Sequence, residues 1–124
     1  LNDCTILGVT SDHNPIDVEH KKTEFDHAHF GSIGLEGCFG ALNKQLNIEV
    51  TIAALTRLKE VFNIPSEKIE EGNTAEITLF NPDESWEFTE KDILSTSKNA
   101  ALLGTELKGK AYGIFSNNKL VLNK

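Results

Sequence analysis

The sequence predicts an α/β chain made of one apolar strand, a long polar loop, two amphipathic helices and a small β unit. Three observations predict it. The run TILGVT at 5 to 10 is β-branched and apolar without alternation, which suits a strand covered on both faces, as in a parallel sheet. Apolar residues then recur at helical spacing between Leu35 and Phe62. Beyond residue 75 the pattern changes to short β-rich runs separated by turn residues. We therefore expect two parts, residues 1 to 65 and residues 66 to 124.

Taken in order, the apolar run at 6 to 10 breaks off at Asp12-His13-Asn14-Pro15. On these residues alone, two readings stay open: the strand hands a carboxylate to a site, or it simply reaches solvent. Residues 11 to 33, rich in Gly, His and Asp, read as a long functional or mobile loop with a short helix over Val18 to Phe25. Leu35, Phe39, Leu42 and Leu46 place a helix over about 34 to 46, despite Gly37 and Gly40 inside it. Val50, Ala53, Ala54, Leu58 and Phe62 mark a second, over about 51 to 62, with Thr51 as N-cap and Pro65 past its end. AEITLF (75 to 80), SWEF (85 to 88), AYGIF (111 to 115) and KLVL (119 to 122) are strands, the first two split by NPDE. Ser116-Asn117-Asn118 predicts a hairpin turn, since Asn tolerates positive φ.

Composition narrows the function classes. A net charge of -7, with 12 Lys and Arg scattered and forming no basic stripe, argues against a nucleic-acid partner. No apolar run approaches the ~20 residues of a membrane span, so no membrane partner is expected and a cytoplasmic location is. Cys4 and Cys38 have no CxxC spacing and read as buried free thiols. With Met absent and an opening at Leu1-Asn2-Asp3, the sequence reads as an excised piece of something longer.

Several segments together resemble one family. The run T-S-D-H-N-P at 10 to 15, followed by E-F-D-H-A-H-F-G-S-I-G-L-E at 24 to 36, resembles the carboxyl-terminal third of dihydroorotases, cyclic amidohydrolases of the metal-dependent TIM-barrel group. A-E-I-T-L-F-N-P-D at 75 to 83, W-E-F at 86 to 88, S-K-N-A-A-L-L-G at 97 to 104 and E-L-K-G-K-A at 106 to 111 keep the family's order. The resemblance implies the carboxyl-terminal end of a TIM-barrel amidohydrolase, its last barrel strand and helices, plus a small β unit. It implies the reversible ring closure of carbamoyl aspartate to dihydroorotate in pyrimidine synthesis, with zinc as cofactor. Asp12 would then end the last barrel strand, contact the metal and shuttle the proton. Phe30 and Gly31 would match the F-G pair whose backbone contacts substrate.

The sequence also departs from the family. Where its pattern is D-H-A-P-H, with the last histidine on the substrate carboxylate, this chain has Ile16, which can donate no hydrogen bond. Ala100-Ala101 replaces a T-P pair, a change that looks structural. His27-Ala28-His29 imitates the family's H-x-H metal pair but precedes Phe30-Gly31 instead of following an apolar run, so both histidines, like His13 and His20, read as solvated loop residues. The implied ligands other than Asp12 would belong to barrel strands absent from this chain, and a catalytic zinc needs about three protein ligands. The chain alone is therefore expected to hold no zinc and to be inactive. Two alternatives are a related cyclic-amide hydrolase of allantoinase or hydantoinase type, and a non-catalytic subunit that scaffolds a partner such as aspartate carbamoyltransferase. The unpaired edges of the apolar strand at 5 to 10 also lead us to expect self-association.

Overall fold

The computed structural model describes residues 5–66 and 68–123. Three helices, α1 (Leu35–Gln45), α2 (Ile48–Thr56) and the single turn α3 (Leu58–Val61), precede three strands, β1 (Ile77–Glu87), β2 (Glu106–Ser116) and β3 (Lys119–Leu122). The strands form one antiparallel sheet in the order β1-β2-β3. Asn117 and Asn118 close the β2-β3 hairpin with φ of 49° and 57°, the left-handed pair that a two-residue turn between right-twisted strands requires.

α1 crosses the sheet on β2. The approach is close because Gly40 has no side chain: a Cβ there would lie 2.9 Å from Leu107 Cβ and 3.2 Å from Gly109 O. The glycine that weakens the helix as an isolated element is what lets it dock. Asn43, on the same helix and buried, donates from Nδ2 to Pro82 O at 2.7 Å and Lys108 O at 3.0 Å. Both carbonyls lie where the β1-β2 register slips between Asn81 and Ser85. The expected break at NPDE is thus a bulge inside one continuous strand, its freed backbone acceptors satisfied by a helix side chain.

Ile33, Phe88, Ile93 and Leu107 form the core, with Trp86, Ala100 and Leu102 packed against it. Ile33 pairs in a parallel bridge with Ala100. One core therefore draws residues from both sides of position 65. Trp86 stands edge-on to Phe88, centroids 5.8 Å apart, and donates its indole N–H to Gly109 O at 3.0 Å; the half-buried indole finds a partner for its polar end in this way.

Three expectations are corrected. Residues 5 to 10 form no strand: Val9 N donates to Ala54 O at 2.9 Å, and Gly8 lies against Leu58. A parallel strand needs a neighbouring strand for its N–H and C=O groups, and none lies beside this segment among the described residues. The second helix starts earlier, at Ile48, capped by Asn47, whose Oδ1 accepts from Val50 N at 2.9 Å; Thr51 is fully buried instead. The helix is also interrupted at Arg57, before α3. In the 11–33 loop the expected helix is two 3-10 turns, Val18–His20 and Phe25–His27.

Candidate active site

Four segments enclose an open cleft of ≈ 500 Å³: Val9 to Asp12, the loop at Gly31 to Gly34, one face of α1 and the Ala101-Leu102 turn. The α1 face brings Cys38, Ala41 and Leu42, spaced as one helical stripe. Asp12 and Gly31, two of the three predicted site residues, lie on this wall together. Phe30 does not: it is 95% exposed and lies outside the cleft lining, next to Gly31 in the chain.

Asp12 has φ of 45°, a left-handed conformation that few non-glycine residues adopt and that Asp tolerates better than most. It follows the Val9 anchor, and its own N–H reaches Thr10 Oγ1 at 3.4 Å. The exposed carboxylate is the only charged group on the wall among the described residues.

Gly31 has φ of 138°. A Cβ there would lie 2.6 Å from Ile16 Cγ1 and 2.9 Å from Asn14 Nδ2, so both space and conformation require glycine. The loop is clamped from the far end of the chain. Asn99 Nδ2 donates to Gly31 O at 2.8 Å, Ile33 N donates to Asn99 O at 2.8 Å, and Ala101 N donates to Ser32 Oγ at 2.8 Å. Ser97 Oγ donates to Ile16 O at 2.7 Å, and Asn14 N to Ser32 O at 3.0 Å. The side chain of Ile16 is packed on Gly31 and itself offers no hydrogen bond, while the Asn14 amide lies beside it.

Behind Asp12, the imidazole of His13 accepts at Nδ1 from Gly34 N (3.3 Å) and Leu35 N (3.2 Å), the first amides of α1. Its Nε2 lies 3.4 Å from Ser95 Oγ, and Ser95 donates both its hydroxyl and, at 2.9 Å, its N–H to Glu36 Oε1. Burial raises the pKa of Glu36, but the hydrogen bonds its carboxylate accepts from Ser95 outweigh it and hold the carboxyl below its ordinary value. Burial pushes the Cys38 thiol up, so it stays protonated near neutrality and is a poor nucleophile.

The other histidines stand apart. His27 is 3.7 Å from Glu24 with both side chains largely exposed, and His20 and His29 stack with centroids 4.8 Å apart. Among the described residues no three His, Cys, Asp or Glu side chains group as a metal site. The described residues do not fit the implied zinc by themselves, with Asp12 as one isolated donor among them. Also among the described residues, no helix is long and apolar enough to cross a membrane. Cys38 is a free thiol, whereas Cys4 lies outside the described residues.

Sequence reasoning missed Asn99, Ser97, Ser95 and the capping use of His13. The segment that carries the first three has no periodicity, and Asn99 meets Gly31 across 68 positions. Only its place in the resembling run S-K-N-A pointed to it.

No protein-family model matches the chain. Among curated proteins, the dihydroorotase of Chlorobaculum tepidum is 32% identical over 98% of this chain and 29% of its own length. That of Clostridioides difficile is 33% identical, covering 99% and 30%, and that of Endomicrobium trichonymphae is 33% identical, covering 90% and 28%. The chain is a relative of the dihydroorotases. This dihydroorotase relative spans about 30% of the length of the curated proteins it matches. Its fold also matches part of the D-hydantoinase (dihydropyrimidinase) from Thermus sp., with a TM-score of 0.82, at 20% identity and covering 98% of this chain and 29% of that one. The α/β architecture is therefore that of a piece of an amidohydrolase fold.

Proposed function

We propose that this chain is the carboxyl-terminal part of a cyclic amide hydrolase that interconverts carbamoyl aspartate and dihydroorotate, with residues 1 to 65 belonging to its barrel and 66 to 124 to its small β domain. The observation that carries the proposal is Asp12, held in a left-handed backbone on the same cleft wall as Gly31. Strained backbone at a polar residue in a cleft is a mark of function. The homology to dihydroorotases supports the choice of reaction.

In hydrolysis, water adds to the ring amide carbonyl and the bond from that carbon to the ring nitrogen breaks. The Asp12 carboxylate takes a proton from the water and returns it to the departing nitrogen. Ring closure runs the same transfers in reverse. Gly31, with the backbone of Phe30, brings main chain close enough to bind the ring. Zinc belongs to this proposal only as a group held by residues outside the chain, and no step above depends on it. We place the protein in the cytoplasm and expect the 124-residue chain alone to be inactive and to self-associate.

Ile16 favours a second reading. The Ile16 side chain, packed on Gly31, itself offers an anionic ring substituent no hydrogen bond, which suits an uncharged cyclic amide such as a hydantoin. The deciding experiment assays the full-length protein on dihydroorotate and on hydantoin, each with Asp12→Ala alongside. A positioned proton shuttle contributes about 10²-fold or more, so Asp12→Ala loses at least that much on whichever substrate is turned over. Near-parental turnover by the variant would sink the assignment of Asp12.

A further inference from the structure

We propose that His13 is a positioning residue for Asp12: its imidazole fastens the Asp12 turn to the start of α1, backed by Ser95 and Glu36. The inference rests on the proposed role of Asp12 for its kinetic consequence, but its structural half stands independently.

α1 begins at a residue that cannot cap it. Gly34 is the N-cap and makes no side-chain cap bond, yet the first amides of a helix need acceptors. His13 supplies one from 21 positions away, with Nδ1 facing both Gly34 N and Leu35 N. An imidazole nitrogen that accepts from two N–H groups carries no proton, so the proton of the neutral ring is on Nε2, directed to Ser95 Oγ. The Ser95 hydroxyl passes its own proton toward Glu36 Oε1. The direction of each bond in the sequence His13 to Ser95 to Glu36 follows from the one before.

The consequence for the site is geometric. Asp12 is bonded directly to His13 and sits at a φ of 45°. The ring of His13 is only 23% exposed in its side chain and is held on both nitrogens. The residue before it has its backbone fixed at one end by the Val9–Ala54 bond and at the other by this ring. Gly34 also borders the cleft, so one imidazole ties together two of its walls. A competing arrangement is visible in the same group. Glu36 Oε2, which has no hydrogen-bond partner, lies 3.8 Å from His13 Nδ1, and a ring protonated at Nδ1 would pair with it and give up both helix amides.

The test has two arms. In the 124-residue chain, nitrogen-15 NMR reads the tautomer, while the Asp12 carbon shifts and amide coupling read its φ. The expected result is an Nε2–H ring, Asp12 at positive φ, and loss of that φ in His13→Ala with recovery in His13→Asn, whose Oδ1 reproduces the Nδ1 acceptor. An Nδ1–H ring, or Asp12 signals unmoved in His13→Ala, overturns the proposal. If His13→Ala does not fold, Ser95→Ala takes its place: displaced Asp12 signals support the proposal and unmoved ones overturn it. In the full-length protein, a misplacement on the order of 1 Å costs up to about 10²-fold in rate. His13→Ala therefore lowers kcat by about 10-fold or more with KM within about twofold, and His13→Asn restores most of the loss. A rise in KM at constant kcat, or His13→Asn as poor as His13→Ala, overturns it. Absence of cyclic amide turnover in the unsubstituted full-length protein would refute the proposed function instead, and the NMR arm then decides the positioning of Asp12.

Discussion

Glu36 shows how a single residue's environment becomes a pH dependence. Its carboxyl is held below its ordinary value in the folded chain because the Ser95 bonds outweigh the cost of burial. A depressed folded pKa stabilises the fold at pH above the ordinary Glu range, and that contribution is lost as pH falls through the lower folded value. Asp92 behaves in the same direction, since burial is outweighed by the bonds from Thr89 in its capping box. Stability measured by urea midpoints should therefore fall on acidification, and Glu36→Gln should flatten part of that acid limb; a limb of unchanged slope in the variant would refute the contribution. Gly31→Ala tests the loop opposite. It forces a Cβ to 2.6 Å from Ile16 Cγ1 at a φ of 138°, so the urea midpoint should drop by the equivalent of about 1–3 kcal/mol. That Asp12 and Gly31 lie on one cleft wall agrees with the placement the resemblance implies, which their local residue types alone left open. The clamps from Ser95, Ser97 and Asn99 were not legible, because a hydrogen bond formed across the fold leaves no spacing in the sequence.

At the level of elements, apolar periodicity located α1 within a residue at each end, although its fully buried residues are Gly37, Gly40 and Asn43 and not the apolar residues that marked it. The second helix was misplaced at its start because Thr51 and Asn47 are both acceptable caps by type. Side-chain geometry decided for Asn47, whose oxygen reaches Val50 N while Thr51 is buried inside the first turns. Asn47→Ala should therefore cost about 1 kcal/mol, and Asn47→Asp much less, measured as a shift in thermal midpoint. NPDE predicts a break between strands because Pro is poorly tolerated inside a paired strand. Here the ladder slips at that point and Asn43 takes up the freed Pro82 carbonyl. Asn43→Ala would leave Pro82 O and Lys108 O without this buried donor, a loss of about 1–3 kcal/mol, and should loosen the α1–sheet contact more than Asn47→Ala does.

For the molecule as a whole, the sheet is finished at one end and bare at the other. Near Leu107 and Trp86 it is covered by α1 and the core, but the end carrying the β2-β3 hairpin is apolar on both faces. The register puts Leu79, Leu120 and Leu122 on one face and Ile114 with Val121 on the other, and all five are between 42% and 57% exposed. An antiparallel sheet with one solvated face alternates apolar and polar residues. KLVL and ITLF do not, and both faces of this end therefore call for cover. β3 is also an edge of the sheet, offering one row of backbone groups as a template for pairing. In the isolated 124-residue chain the material at hand for that row is a second copy, so the chain should associate as its concentration rises. Sedimentation velocity across a hundredfold concentration range would show a rising weight-average mass. Val121→Lys, which sets a charge on one face of the edge strand, should shift the association to higher concentration while leaving the core near Phe88 and the Asp12 cleft intact. A chain that stays monomeric throughout, with the β3 amides exchanging slowly, would mean that the sheet end is stable uncovered, and self-association would be excluded.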